Sequence, residues 1–290
     1  MLSTRNLQGE FSWNTDFNIS FNKNKVLDIG KAADGSSNYF YGLGLGNDAA
    51  VNRTEAGHSI GEFYLIKTDG VYQTQAQVDA LPVVLSTGRI VSIGTQRYVD
   101  QNGDKKIDDL DRVYVGSPLP KFTGGINNTF SYKGLSLSIF ANFVYGNKIY
   151  SNVLRTLEKG DGYWNQTKWY YDNYWRADKP SDVGIPFKGP SNSGVYGNVS
   201  NNNDRALFDG SYLRIKNITL AYQFPKSIVQ KVGLSNMRVY SNIANMFTLT
   251  NYRGIDPDVN SQGANPMSAG VDNYSYPTAK TITFGMNLEF

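Results

Sequence analysis

Six stretches of this chain alternate apolar and polar residues with a period of two, and nowhere do the 290 residues approach 18 consecutive apolar positions. A period of two places alternate side chains on opposite faces of a strand. A transmembrane helix is thereby excluded, while transmembrane β-strands are not, because their lipid-facing and lumen-facing residues average out in any hydropathy window. In 11–21, Phe11, Trp13, Phe17, Ile19 and Phe21 oppose Ser12, Asn14, Asp16, Asn18 and Ser20. In 122–132, Phe122, Ile126, Phe130 and Tyr132 oppose Thr123, Asn127, Thr129 and Ser131. In 135–145, Leu135, Leu137, Ile139, Ala141, Phe143 and Tyr145 oppose Ser136, Ser138 and Asn142. Segments 212–224, 237–249 and 281–290 follow the same rule. In the first of these, Leu213 and Ile215 are out of phase with Ile218, Leu220 and Tyr222, which predicts either a bulge near Asn217 or a section above the bilayer.

The connections alternate in length. Lys133-Gly134 and 225–236 are short, whereas 22–121, 146–211 and 250–280 are long. That is the rhythm of an outer-membrane barrel, with short periplasmic turns and long extracellular loops. The final Ile282, Phe284, Met286, Leu288 and Phe290 pattern matches a terminal barrel strand ending on an aromatic residue. The expected fold is all-β: an antiparallel up-and-down transmembrane β-barrel segment of about six strands. Six strands do not close a membrane barrel, for which eight is the practical minimum. Residues 1–290 are therefore expected to be the C-terminal part of a larger barrel protein. A soluble β-sandwich produces the same alternation with its apolar face turned into a core. A soluble calcium-binding sandwich, an adhesin or glycan-binding module, is the alternative; Phe17, Ile139 and Phe284 enclosed in one core would favour it.

Composition fits strands, tight turns and interfacial aromatic girdles: aromatic residues make up 13%, and glycine occurs 29 times. A net charge of +3 without a basic cluster argues against nucleic acid, and the lack of cysteine excludes disulfides and thiolate metal sites. No GxSxG, HExxH or P-loop pattern appears, and the one histidine, His58, has no acidic or hydroxyl neighbour suggestive of a triad. An enzyme is not expected.

Two long connections hold chemistry. In 100–111, Asp100, Asn102, Asp104, Asp108 and Asp111 offer side-chain oxygens at positions 1, 3, 5, 9 and 12, and Lys106 offers its carbonyl at position 7. Six to eight oxygens from a compact loop suit Ca²⁺ in a structural role. Glycine at position 4 rather than 6, and Asp rather than Glu at position 12, depart from the EF-hand rule; an Asx-rich solvated turn is the plainer alternative. In 146–211, Tyr163, Trp164, Trp169, Tyr170, Tyr171, Tyr174 and Trp175 crowd together. Such rings either meet a substrate or partner or pack the loop on itself.

These motifs also carry a family likeness. Asp100-x-Asn102-Gly103-Asp104, followed by Gly116-Ser-Pro118-Leu-Pro120-Lys121-Phe-Thr-Gly-Gly125, resembles the signature of SusC/RagA-type TonB-dependent outer-membrane receptors. Trp13 to Lys25, Asp209 to Asn217 and Asn251 to Pro257 resemble it too, so the likeness spans the chain. The resemblance implies a barrel of about 22 strands that imports glycans or peptides, a plug and a TonB contact lying N-terminal to this chain, and a SusD-like surface lipoprotein as lid. It also implies the outer membrane. With the last strand ending at the periplasmic face, strand parity puts 100–111, 146–211 and 250–280 outside the cell.

Overall fold

The computed structural model describes residues 1–45, 50–81, 84–85 (backbone only), 91–158, 165–181, 203–259, 261, 263 and 265–290. Seven strands form one sheet: β1 (Leu2–Leu7), β2 (Phe11–Phe21), β3 (Phe122–Tyr132), β4 (Leu135–Tyr145), β5 (Tyr212–Gln223), β6 (Asn236–Thr250) and β7 (Thr281–Glu289). They pair antiparallel in chain order, an up-and-down meander. All six expected strands are present, and β1 is a seventh. Its alternation is interrupted at Asn6, where the register against β2 shifts, so Leu2 and Leu7 share a face despite their odd spacing. β2, β3 and β4 have 11 residues each, enough for a tilted strand to cross a bilayer.

Local chemistry sets the turns. Lys133 and Gly134 both take positive φ (44° and 85°), the two-residue hairpin geometry that matches strand twist. The connection from β5 to β6 holds one helical turn, Lys226–Val229, then a 3₁₀ turn stopped by Gly233 in the left-handed region. The bulge expected near Asn217 falls at Lys216, which is skipped in the pairing of β5 with both neighbours. One extra residue returns Leu213 and Ile215 to the face of Ile218, Leu220 and Tyr222.

The sheet has two unlike faces. Phe17, Ile139, Leu220, Ile243 and Phe284 share one with most of the other large apolar residues, Phe140 and Tyr240 lying on the opposite face, as the cross-strand partners require. Phe284 is 79% exposed, and neither hydrophobic cluster of the structure contains Phe17, Ile139 or Phe284. This overturns the sandwich, whose apolar faces would be enclosed. Amid this outer band sits one polar knot. Asn128 Oδ1 accepts from Trp13 Nε1 (2.9 Å) and Thr15 Oγ1 (2.7 Å), and Thr15 Oγ1 accepts from Asn6 Nδ2 (2.7 Å).

The buried core lies elsewhere, in the long connections. Four short strands, Arg112–Gly116, Glu62–Ile66, Asn52–Glu55 and Tyr39–Tyr41, make a second sheet in that order. One cluster gathers Ile66, Tyr72, Val78, Val91, Tyr98 and Ile107. A second draws Leu45, Val51, Phe63 and Leu65 from 22–121, Tyr150 and Ala206 from 146–211, and Val271 from 250–280. Lys148–Ser151 pairs antiparallel with Leu207–Asp209 and parallel with Val271–Asp272, tying the last two connections together. Full burial of side chains this size contributes about 1.5–3 kcal/mol each. The long connections are thus a folded layer over one end of the sheet.

Candidate functional site

The inner face of the sheet is the more polar one. Its polar residues bond across strands: Ser138 Oγ to Asn127 Oδ1 (3.0 Å), Thr219 Oγ1 to Asn242 Oδ1 (2.9 Å) and Ser3 Oγ to Asp16 Oδ1 (2.7 Å). Glycines give its aromatic rings room. A Cβ on Gly125 would lie 2.9 Å from the Phe140 ring, and one on Gly285 2.2 Å from that of Tyr240. Gly124 serves the other face: its Cβ would lie 2.4 Å from both the Phe143 ring and the Asn18 carbonyl oxygen. The Gly124-Gly125 pair thus accommodates rings and backbone, as expected of glycines within a strand.

Arg214 is the buried cation of β5, flanked in sequence by Leu213 and Ile215. It donates to Thr248 Oγ1 (2.9 Å), pairs with buried Asp256, and has Asp258 at 3.5 Å. Asp256-Pro257-Asp258 does form a turn, with the Asp258 amide donating to Asp256 Oδ1 (2.9 Å). Burial works against ionisation of Asp256. The Asp258 amide, the Thr278 groups and Arg214 outweigh it and hold the carboxyl below its usual range. An arginine set between Leu213 and Ile215 was a sequence signal for this latch, and it was missed.

The loop 100–111 is closed largely on itself. Asp100 accepts from the amides of Gly103 (2.7 Å) and Lys105 (2.8 Å), Asn102 from that of Asp104 (3.0 Å), and Asp104 from that of Lys106 (2.8 Å). Asp108 caps the 3₁₀ turn Asp109–Asp111 through the Leu110 amide, in a reciprocal capping box with Asp111. Its carboxyl also pairs with Lys106 Nζ at 2.7 Å. Lys106, then the Leu110 amide, hold Asp108 below the usual carboxylate range. Asp111 is fully buried, with its oxygens on the amides of Gln101 and Asp108 (both 2.8 Å). Among the described residues, no three His, Asp or Glu side chains gather as a metal-binding group. The fit to calcium is therefore partial: Asp100, Asn102 and Asp104 stand on an exposed turn, while Asp108 and Asp111 have partners within the loop.

The aromatic segment divides. Tyr163 and Trp164 lie outside the described residues. Trp169 and Tyr170 sit on the helix Lys168–Asn173, whose N-cap Thr167 accepts from the Tyr170 amide. Tyr170 is 0% exposed and stacks on Tyr174 with centroids 5.7 Å apart, so its ring has no surface to offer a ligand. Trp175 Nε1 donates to Gln73 Oε1 (2.8 Å), reaching into the first long connection. Trp169 lies under Arg253, whose guanidinium is 3.6 Å from its centroid and 5.0 Å from that of Phe208. Arg253 also grips buried Glu158. No local sequence signal links Glu158 with Arg253, 95 residues apart.

His58 does have partners, contrary to the sequence reading. Its Nδ1 lies 3.2 Å from Glu62 Oε2, and its ring stacks on Tyr114 at 3.5 Å. Tyr114 in turn donates to Glu55 (2.6 Å). Burial, and then that bond, push the Tyr114 phenol well above its usual value. A stacked histidine beside a carboxylate fixes the sheet Tyr39–Gly116 here.

A single meandering sheet with an apolar outer band, a polar inner face and a folded loop layer at one end defines a β-barrel wall of the outer-membrane kind. No family model matches the chain. Over its whole length it is 30% and 31% identical to the TonB-dependent receptors P3 and P26 of Formosa agariphila. It is 26% identical over 97% of its length to the TonB-dependent receptor SusC of Bacteroides thetaiotaomicron. The RagAB peptide transporter superposes on 99% of the chain with a TM-score of 0.73 at 22% identity, a likeness of fold. The chain spans about 28% of the length of the F. agariphila receptors, 25% of SusC and 28% of the RagAB chain. Over its whole length the chain is thus similar to part of TonB-dependent receptors, SusC among them, and shares the fold of a peptide transporter.

Proposed function

We propose that the chain supplies C-terminal wall strands and much of the extracellular loop layer of a TonB-dependent importer of glycans or peptides. The carrying observation is the division of labour between a two-faced sheet and a separate folded layer at one end only. That layer faces outward, where a SusD-like lipoprotein docks as lid. TonB acts through a plug and N-terminal region outside residues 1–290. The open edges of β1 and β7 support a larger closed barrel, since unpaired backbone groups are costly in lipid. The RagAB peptide transporter, matched above in fold, supports the peptide class, and the glycan class rests on the resemblance to SusC-type receptors. Deleting the gene of the whole receptor and comparing growth on oligosaccharides and on peptides as sole carbon source tests the reading. Unimpaired growth on both, with no lipoprotein co-purifying with the receptor, would sink it.

The loop 100–111 belongs to the same proposal as a structural Ca²⁺ loop of moderate affinity, with Asp100, Asn102, Asp104 and the Lys106 carbonyl as ligands. Asp111, and Asp108 once it gives up Lys106, would complete the set. Oxygen spacing supports this, whereas the internal bonds of Asp108 and Asp111 weigh against it. Calorimetric titration of the full-length receptor decides: no heat of calcium binding removes it. Exposed edges of Trp169, Tyr174 and Trp175 are proposed to border the substrate or lid surface.

A further inference from the structure

Lys23, Lys25 and Lys121 line one open cavity of about 600 Å³, together with Asn22, Asn24 and Ser117. It opens where β2 and β3 leave the sheet. Immediately below it Phe21 and Phe122 are cross-strand partners with centroids 5.8 Å apart, and Tyr145 stacks on Phe122 at 4.9 Å. Three rings at the end of an outward apolar band are an interfacial girdle, the height at which lipid headgroups lie. All three lysines are exposed, and among the described residues none enters an ion pair. Of the carboxylates here, Glu62 lines the cavity itself and Asp209 lies near Lys121, and each has partners. Glu62 accepts from the Ser59 amide (3.3 Å) and lies against His58, and Asp209, which feels Lys121, accepts from Ser211 (2.6 Å).

We propose that this cavity binds the phosphorylated headgroup of an outer-leaflet glycolipid of the lipopolysaccharide type. Ammonium groups supply charge-assisted bonds to phosphate oxygens, and asparagine amides and a serine hydroxyl suit sugar hydroxyls. Continuity with the lipid-facing band selects a membrane lipid over a dissolved anion. The choice of leaflet rests on the outward orientation of the loop layer proposed above.

The test uses the full-length receptor, purified from outer membranes in mild detergent, with retained lipopolysaccharide quantified by mass spectrometry. The triple variant Lys23→Ala, Lys25→Ala, Lys121→Ala is expected to retain at least about tenfold less, since each cation near an anionic surface adds to binding. The matching Lys→Arg triple variant should retain it, and delipidated receptor should rebind intact but not phosphatase-treated lipopolysaccharide. Equal retention by the alanine variant overturns the proposal, as does equal rebinding of the dephosphorylated lipid. Competition by inorganic phosphate at concentrations matching the lipid's overturns the lipid source. Orientation is read separately, from a membrane-impermeant maleimide on Leu27→Cys in intact cells. Leu27 is 84% exposed and leaves the lysines untouched. Failure of that labelling sinks the orientation, and with it the choice of leaflet, while retention reports on phosphate recognition alone.

Discussion

Arg253 donates from both terminal nitrogens to Glu158, at 3.1 and 2.9 Å, and so fixes the third long connection to the second. Its guanidinium plane is held meanwhile by Trp169. Glu158 also accepts from Thr167, the N-cap of the helix that carries Trp169. Removing Glu158 leaves the partly buried Arg253 and the Thr167 hydroxyl without their acceptor. Glu158→Ala in the full-length receptor should therefore free the Lys168–Asn173 helix and raise its amide exchange, with the wall strands unchanged. Unaltered exchange in that helix would refute the linkage.

Asp256 gives a pH dependence with a definite sign. Its folded pKa lies below the ordinary carboxylate value of 3.8, so the attachment it provides is complete above that value and fades as pH falls through the lowered one. Limited proteolysis of 250–280 should be flat from neutrality to about pH 4 and rise only below it. Asp256→Asn should be cleaved readily even at neutral pH, because Arg214 then loses its buried counter-charge.

Two neighbouring glycines should respond differently to rescue. At Gly125 the obstacle to a Cβ is chiefly the Phe140 ring, so Gly125→Ala should be restored by Phe140→Ala. At Gly124 the obstacle includes the Asn18 carbonyl oxygen, which no change at Phe143 can move. Heat-modifiable mobility on gels reports folded barrel in each case. Rescue of Gly124→Ala by Phe143→Ala would contradict the packing.

Adjacent residues of β7 test the two faces. Phe284→Lys puts a charge on the outer band and should cost about 2–4 kcal/mol if it lies near the bilayer midplane. Thr283→Lys faces the interior opposite Asn242 and should cost distinctly less. Refolding titrations into lipid vesicles compare them, and equal costs would remove the assignment.

The wall was legible in the sequence because a period of two is local: each strand displays its own face. The bulge at Lys216 was legible as a phase error. β1 was not, since the shift at Asn6 spoils six residues of alternation. The loop layer was also unreadable. Its strands are two to five residues long and find their partners far away, as Tyr150 does with Val271. Twelve residues of oxygen spacing were plain in 100–111, yet spacing did not reveal that Asp108 and Asp111 serve a capping box. His58 looked alone because Tyr114, its stacking partner, is 56 residues away, although Glu62 stood only four residues on.

The Asn128 knot has a consequence for how the wall keeps its alignment. Sliding one strand past its neighbour by two residues leaves every apolar side chain outward, so the alternating pattern cannot by itself forbid that error. A slip of β3 would set Asn128 beside Trp13 or Phe17 instead of Thr15, its partner here, and break the Thr15–Asn128 bond; a slip of β1 would break the bond from Asn6 to Thr15. In hydrocarbon the abandoned amide has no water to turn to. A handful of polar atoms on the greasy side thus works as a detent, letting β1, β2 and β3 come to rest at one setting among several that hydrophobicity alone would accept.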